Sequence, residues 1–172
     1  VGVDAVVADH PTTREGPKMS NIRFQTTTSA TPEQFVQGLT DFGPGREQVF
    51  PNSADSYLEV HHVTTGRADV TEGSGGVWER LTYDWTDPTR VLLTTTDSNV
   101  FGGASGYVYT LTRQGDGTTH VDLEIVREGK NVKGKALSWA LGTVAKGKLR
   151  KAFDTSVRGI ETRNGLTVPP SA

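Results

Sequence analysis

The residues best placed for chemistry lie on strands that alternate apolar and polar side chains. Val77, Leu81, Tyr83 and Trp85 share one side of an extended segment, and Glu79 falls on that same side. An enclosed carboxyl, its charge disfavoured by desolvation, is a candidate general acid or base. The same alternation places His62 beside Leu58 and Val60, Tyr107 and Tyr109 beside Leu111, and Arg127 beside Val121, Leu123 and Ile125. His62, Glu79, Tyr107, Tyr109 and Arg127 are therefore the expected polar lining of an interior space, with Tyr83 and Trp85 next to them. A few convergent polar groups in an apolar surround are the usual make-up of a small-molecule site. His61 and His62 are adjacent and are expected to face opposite sides. Neither belongs to a pattern with metal-ligand spacing, so no metal is expected.

These residues need elements to hold them. Residues 21–28 alternate Ile22, Phe24 and Thr26 with Arg23, Gln25 and Thr27, as a half-buried strand does. Thr31, Pro32 and Gln34 then form a helix start, with Thr31 as cap and Gln34 completing a capping box. That helix buries Phe35, Val36 and Leu39 and stops near Gly43-Pro44-Gly45. A second short helix or turn is expected over residues 46–50, ended by Pro51.

Six further strands are expected over residues 57–64, 68–72, 77–86, 90–98, 106–113 and 120–128. Short links such as Asp116-Gly117 make consecutive strands antiparallel neighbours. Residues 133–163 read as a long helix with two apolar stripes. Leu149, Phe153 and Ile160 lie on one, Leu137, Leu141 and Val144 on another. A straight helix with one buried face would not show both, and Gly142 and Gly147 permit a bend between them. The fold class is α+β: a seven-stranded curved antiparallel sheet wrapped around a long C-terminal helix, with two short helices between the first and second strands.

Composition narrows the chemistry. The chain of 172 residues has no cysteine, which removes disulfides and thiolate catalysis. No run approaches the ~20 apolar residues of a membrane-spanning helix. Residues 1–18 lack periodicity and a basic leader, and read as a disordered extension rather than a signal peptide. One domain is expected over residues 19–164, a tail over 165–172, and a cytoplasmic location. The net charge of -2 is uneven: residues 127–151 hold eight Lys or Arg against the single acid Glu128.

The element order resembles the START-like superfamily, also called SRPBCC or Bet v 1-like, with the helix-grip fold. The stretches that carry the resemblance are Thr28-Ser29-Ala30-Thr31-Pro32-Glu33-Gln34-Phe35, then Gly76-Val77-Trp78-Glu79-Arg80 and Tyr83-Asp84-Trp85-Thr86-Asp87-Pro88. The closing Leu149-Arg150-Lys151-Ala152-Phe153 is similar to bacterial polyketide cyclase/dehydrase-type members. The resemblance implies a deep pocket between sheet and helix that takes a lipid-, polyketide- or sterol-like molecule, with Leu149 and Phe153 on its helix side and no cofactor. It carries no shared catalytic residue to this chain.

The expected function is thus non-covalent binding of a hydrophobic small molecule by a monomer or dimer. One alternative is a cyclase- or dehydratase-like enzyme using Glu79. A second is docking of the basic segment 127–151 on a membrane surface or a protein partner. The pI of about 6.1 and the lack of a nucleic-acid reading motif argue against nucleic acid.

Overall fold

Thr31 opens the first helix as its type and spacing predict. Its Oγ1 accepts from the Gln34 N–H at 3.2 Å, and the Gln34 Oε1 accepts from the Thr31 N–H at 2.9 Å. Both halves of the capping box are present. The computed structural model describes residues 19–50 and 57–166. The expectations for residues 1–18, Pro51 and residues 167–172 lie outside those described.

The strands are β1 (Met19–Thr28), β2 (Tyr57–Val63), β3 (Arg67–Ser74), β4 (Val77–Asp84), β5 (Arg90–Ser98), β6 (Gly106–Arg113) and β7 (Thr119–Glu128). The helices are α1 (Pro32–Thr40), α2 (Arg46–Val49), α3 (Val132–Gly142) and α4 (Lys146–Arg163). The strands form one antiparallel sheet in the order β1-β7-β6-β5-β4-β3-β2. Each of β2 to β7 pairs with its sequence neighbour, and β1 returns to the far edge to pair with β7, Ile22 opposite Ile125. The β3–β4 hairpin turns through Gly75 and Gly76, with φ of 59° and 76°. Positive φ at both central residues suits the right-handed twist of the flanking strands.

Alternation in β7 is complete: each second residue from Thr119 to Arg127 is buried. This face meets Phe35 and Leu39 of α1 and Phe153, Val157 and Ile160 of α4 in a single apolar core. The packing is tight where helices touch. A Cβ at Gly38 would lie 2.6 Å from the Ile160 side chain, and one at Gly159 would lie 2.4 Å from the Gln48 carbonyl oxygen.

The long helix is divided. The chain leaves helical geometry at Thr143 (φ -125°, ψ -94°) and resumes at Lys146. Leu149, Phe153 and Ile160 thus belong to α4, and Leu137 and Leu141 to α3, with Val144 in the link between them. Helix α3 starts at Val132 under an Asn131 cap and lies on β1 and β7, where the Ser20 hydroxyl donates to the Ser138 carbonyl at 2.7 Å. Helix α4 grips the core.

One side-chain placement departs from simple alternation. Val60 pairs with Val70, but the next pair is His62 with Asp69, so His61 is an extra residue in a β-bulge. The bulge moves His62 to the outer face beside Asp69 and turns Val63 inward opposite Ala68. His61 is also on the outer face, where its Nε2 lies 2.7 Å from the Thr71 hydroxyl. The two histidines therefore share a face instead of dividing between two.

Candidate functional site

Between the inner face of the sheet and α4 lies a cavity of about 710 Å³. Its apolar wall is built by alternate residues of three strands, Leu81, Leu93, Leu123 and Ile125, and by Leu149 and Phe153 of α4. The exposed residues of the lining are Ser74 at the end of the β3–β4 hairpin and Lys148 and Lys151 in the first turns of α4, so the cavity opens between them. The volume falls in the range of sites for drug-sized ligands.

Glu79 lies on the inner face, only 9% exposed, and lines this cavity. It is not alone. The Arg127 Nη1 and Nη2 donate to the Glu79 Oε1 and Oε2, each at 3.2 Å, and the Thr95 hydroxyl donates to Oε1 at 2.9 Å. Arg127 is 3% exposed and is itself held between the rings of Phe101 and Tyr107, with centroids 4.7 and 4.2 Å from its guanidinium carbon. Arg127 stands behind Glu79 and is not part of the cavity lining, which corrects its expected role as a direct ligand contact. Its physical task is to compensate a carboxylate that burial would otherwise penalise by several kcal/mol.

The tyrosines stay in the lining. Tyr107 and Tyr109 both face the cavity, and among the described residues neither hydroxyl has a hydrogen-bond partner. Burial pushes both phenols above their ordinary value; Arg127 opposes this at Tyr107, and Glu72 adds to it at Tyr109. They are neutral hydroxyls open to an incoming polar group.

Tyr83 is buried and engaged. Its hydroxyl donates to the Glu72 Oε1 and accepts from the Arg46 Nη2 at 3.2 Å. Burial raises its pKa, and the Glu72 charge raises it further. Arg46, 4% exposed, also donates to the carbonyls of Leu39 and Asp41 at 3.1 and 3.0 Å and to both oxygens of Glu72. Its guanidinium is flanked by Phe42 and Phe50, each ring centroid 4.6 Å away. Burial disfavours its charge, but Tyr83 and Glu72 more than offset that and hold Arg46 above the ordinary guanidinium value.

Besides Arg127, two more expected residues fall outside the cavity. His62 is exposed, because the bulge carries it to the outer face. Trp85 follows the last residue of β4 and packs half-buried against the core without reaching the lining. Glu79, Tyr83, Tyr107, Tyr109, Leu149 and Phe153 all line the cavity. Among the described residues no group of three or more His, Asp or Glu is arranged to hold a metal ion, and no helix is long and apolar enough to cross a membrane.

No protein-family profile matches the chain, and no curated protein does. Solved structures match it over most of its length. The ZhuI aromatase/cyclase from Streptomyces sp. R1128 superposes with a TM-score of 0.67 at 13% identity, covering 86% of this chain and 96% of that one. A START superfamily protein from Mycobacterium smegmatis gives 0.61 at 11% identity, covering 84% and 96%. A Thermus thermophilus protein, TTHA0849, gives 0.61 at 18% identity, covering 83% and 95%. The chain has the START-like helix-grip fold. At such identities the likeness is one of fold, and the site must be argued from its own residues.

Within this START-like frame, sequence reasoning missed Glu72, Arg46 and Thr95. Glu72 had a signal: Ala68, Val70 and Glu72 alternate, and the tight Gly75-Gly76 turn sets Glu72 directly opposite Glu79. Thr95 faces inward on β5 for the same reason of alternation, beside Leu93 with a register shift between Arg80 and Leu81 on the paired strand. Arg46 had no periodic signal, since it sits in a helix of four residues. The result is two neighbouring carboxylates on the inner wall, each matched by its own buried arginine.

Proposed function

We propose that the chain binds a hydrophobic small molecule, lipid-, polyketide- or sterol-like, non-covalently in the cavity between the sheet and α4. The observation that carries this reading is an apolar chamber of about 710 Å³ into which two unpartnered phenols, Tyr107 and Tyr109, project. Every 100 Å² of apolar ligand surface covered would contribute about 2.5 kcal/mol. The phenols and the cavity side of Glu79 would orient a hydroxyl or carbonyl on the ligand. Leu149 and Phe153 would close over it.

A cyclase- or dehydratase-like role would ask Glu79 to move a proton. Both of its oxygens accept from Arg127, and Thr95 adds a third donor. That arrangement favours a fixed carboxylate that shapes and orients, so the binding reading is preferred.

Native mass spectrometry of the purified protein tests the proposal, together with titration of an apolar fluorescent probe. A co-purifying apolar molecule, or saturable probe binding abolished by the cavity-filling Leu123→Trp in a folded protein, is expected. Absence of saturable binding, or a Leu123→Trp variant that binds as the parent does, would overturn it. Turnover of a bound molecule that is lost in Glu79→Gln would move the assignment to the enzyme reading.

A further inference from the structure

The apolar side chains left open to water are not scattered. Eight large ones stand out among the described residues, and only Val60 and Val63 lie away from one end of the sheet. The other six are Met19, Tyr57, Trp78, Val132, Trp139 and Val144, with Val132 85% and Trp139 54% exposed. Pairing and hydrogen bonds tie them to a single end. Tyr57 and Trp78 both pair with Gly73, and Met19 pairs with Glu128. The Trp78 N–H donates to the Asn99 Oδ1 at 3.1 Å, and the Asn131 Nδ2, at the cap of α3, donates to the Asn99 carbonyl at 2.9 Å. A Cβ at Gly142 would lie 3.1 Å from the Ser20 hydroxyl, so the α3–α4 corner that carries Val144 sits over the start of β1. The cavity opens at this same end, beside Ser74 and Val77.

Between Glu128 and Asp154 the charge of the chain has one sign. No acid occurs between Glu128 and Asp154, while Lys133, Lys135, Lys146, Lys148 and Lys151 are all exposed. Among the described residues none of these five lysines makes an ion pair, although Lys130 and Arg150 do. An exposed tryptophan flanked by unpaired lysines suits the boundary of a bilayer, where the indole sits at headgroup depth and the ammonium groups meet anionic phosphates. A protein whose total charge is -2 thus carries five unpaired lysines on this one segment, whose local charge opposes the net charge of the molecule.

We infer that the end of the molecule formed by α3, the α3–α4 corner and the β3–β4 hairpin docks on an anionic lipid bilayer, with Trp139 and Val132 at the headgroup boundary and the cavity opening turned toward the membrane. Val132, Lys133, Lys135 and Trp139 stand apart from the cavity's lining, so the surface is testable through them whatever the cavity holds.

The test is flotation of the full chain with vesicles of phosphatidylcholine containing phosphatidylglycerol, and with phosphatidylcholine alone, at low and physiological ionic strength. Binding to the anionic vesicles, weakened by salt, is expected. Each lysine near the surface accounts for about 5-fold in partitioning, so Lys133→Gln with Lys135→Gln should weaken binding about 25-fold. Trp139→Ser should weaken it further, with probe binding in the cavity unchanged in all variants. Indifference to anionic lipid, or equal partitioning of the Lys133→Gln/Lys135→Gln variant and the parent, would overturn the inference. So would lipid-independent self-association that Trp139→Ser abolishes, because the face would then serve a second copy of the chain.

Discussion

Replacing Arg127 by methionine removes the one cation that compensates Glu79 while keeping most of the side-chain volume. The two guanidinium contacts of 3.2 Å disappear, and a carboxylate 9% exposed is left with the Thr95 hydroxyl alone. Breaking one side of a buried pair costs about 3–5 kcal/mol. For a chain of this size that corresponds to a fall in Tm of roughly 6–20 °C. Removing both charges should recover most of the loss, since apolar replacements for a buried pair are often neutral. The Arg127→Met/Glu79→Leu variant still orphans the Thr95 hydroxyl, which is 2% exposed, at a cost of about 1 kcal/mol or more. Adding Thr95→Val should relieve that remaining cost. Urea unfolding followed by tryptophan fluorescence measures all of these proteins on one scale. An Arg127→Met cost below about 1 kcal/mol, or a double variant equal to the sum of its singles, would show that the pair does not hold the cavity wall.

Three further outcomes are expected. Gly134→Ala should destabilise by at least about 2 kcal/mol in the same urea assay, because its Cβ would lie 1.9 Å from the Val100 carbonyl oxygen and force α3 off the sheet. Glu161, 2% exposed, accepts from the Thr28 hydroxyl at 2.8 Å and the Ser29 N–H at 3.1 Å. Glu161→Leu should cost about 1–3 kcal/mol for each donor orphaned, and Glu161→Gln, which keeps an acceptor, distinctly less. Asp122 is held below its ordinary carboxyl value of 3.8, chiefly by its hydrogen bonds from Arg23, with Gln25 also contributing. A depressed folded value means its stabilisation is full above 3.8 and is lost as pH falls through the lower folded value. Asp122→Asn should therefore lower the neutral plateau of a stability–pH profile modestly and flatten its acid limb, so that the two profiles converge at low pH.

The fold was legible where side chains repeat with the period of their element. In β7 the pattern from Thr119 to Arg127 is unbroken, and it placed Leu123 and Ile125 on the cavity wall correctly. The Thr31-Pro32-Glu33-Gln34 start signal was equally plain, because capping depends on residues adjacent in the chain. His62 was lost to the bulge, which adds one residue and reverses the alternation beyond it without a mark in composition. Arg127 and Glu79 were each placed inward, but their pairing across 48 positions depends on how β4 and β7 sit across the sheet. Two stripes in residues 133–163 did announce a division of the helix, and the structure puts it at residues 143–145, between Gly142 and Gly147. Neighbouring polar groups that act together, such as Arg46 with Glu72 and Tyr83, come from three elements and left no local pattern to read.

The pairing of β1 with β7 sets an order of events on the ribosome. Ile22 must wait for Ile125, roughly a hundred residues later, before its edge is satisfied. At common translation speeds that wait lasts about 5–20 s. Throughout it the nascent β1 holds Ile22 and Phe24 ready to pair with any other strand. Closing so long a loop also makes the last step of assembly slow compared with the successive hairpin-type pairings from β2 to β7 that precede or accompany it. Crowded, fast expression should thus trap this chain at its first strand before it damages anything else.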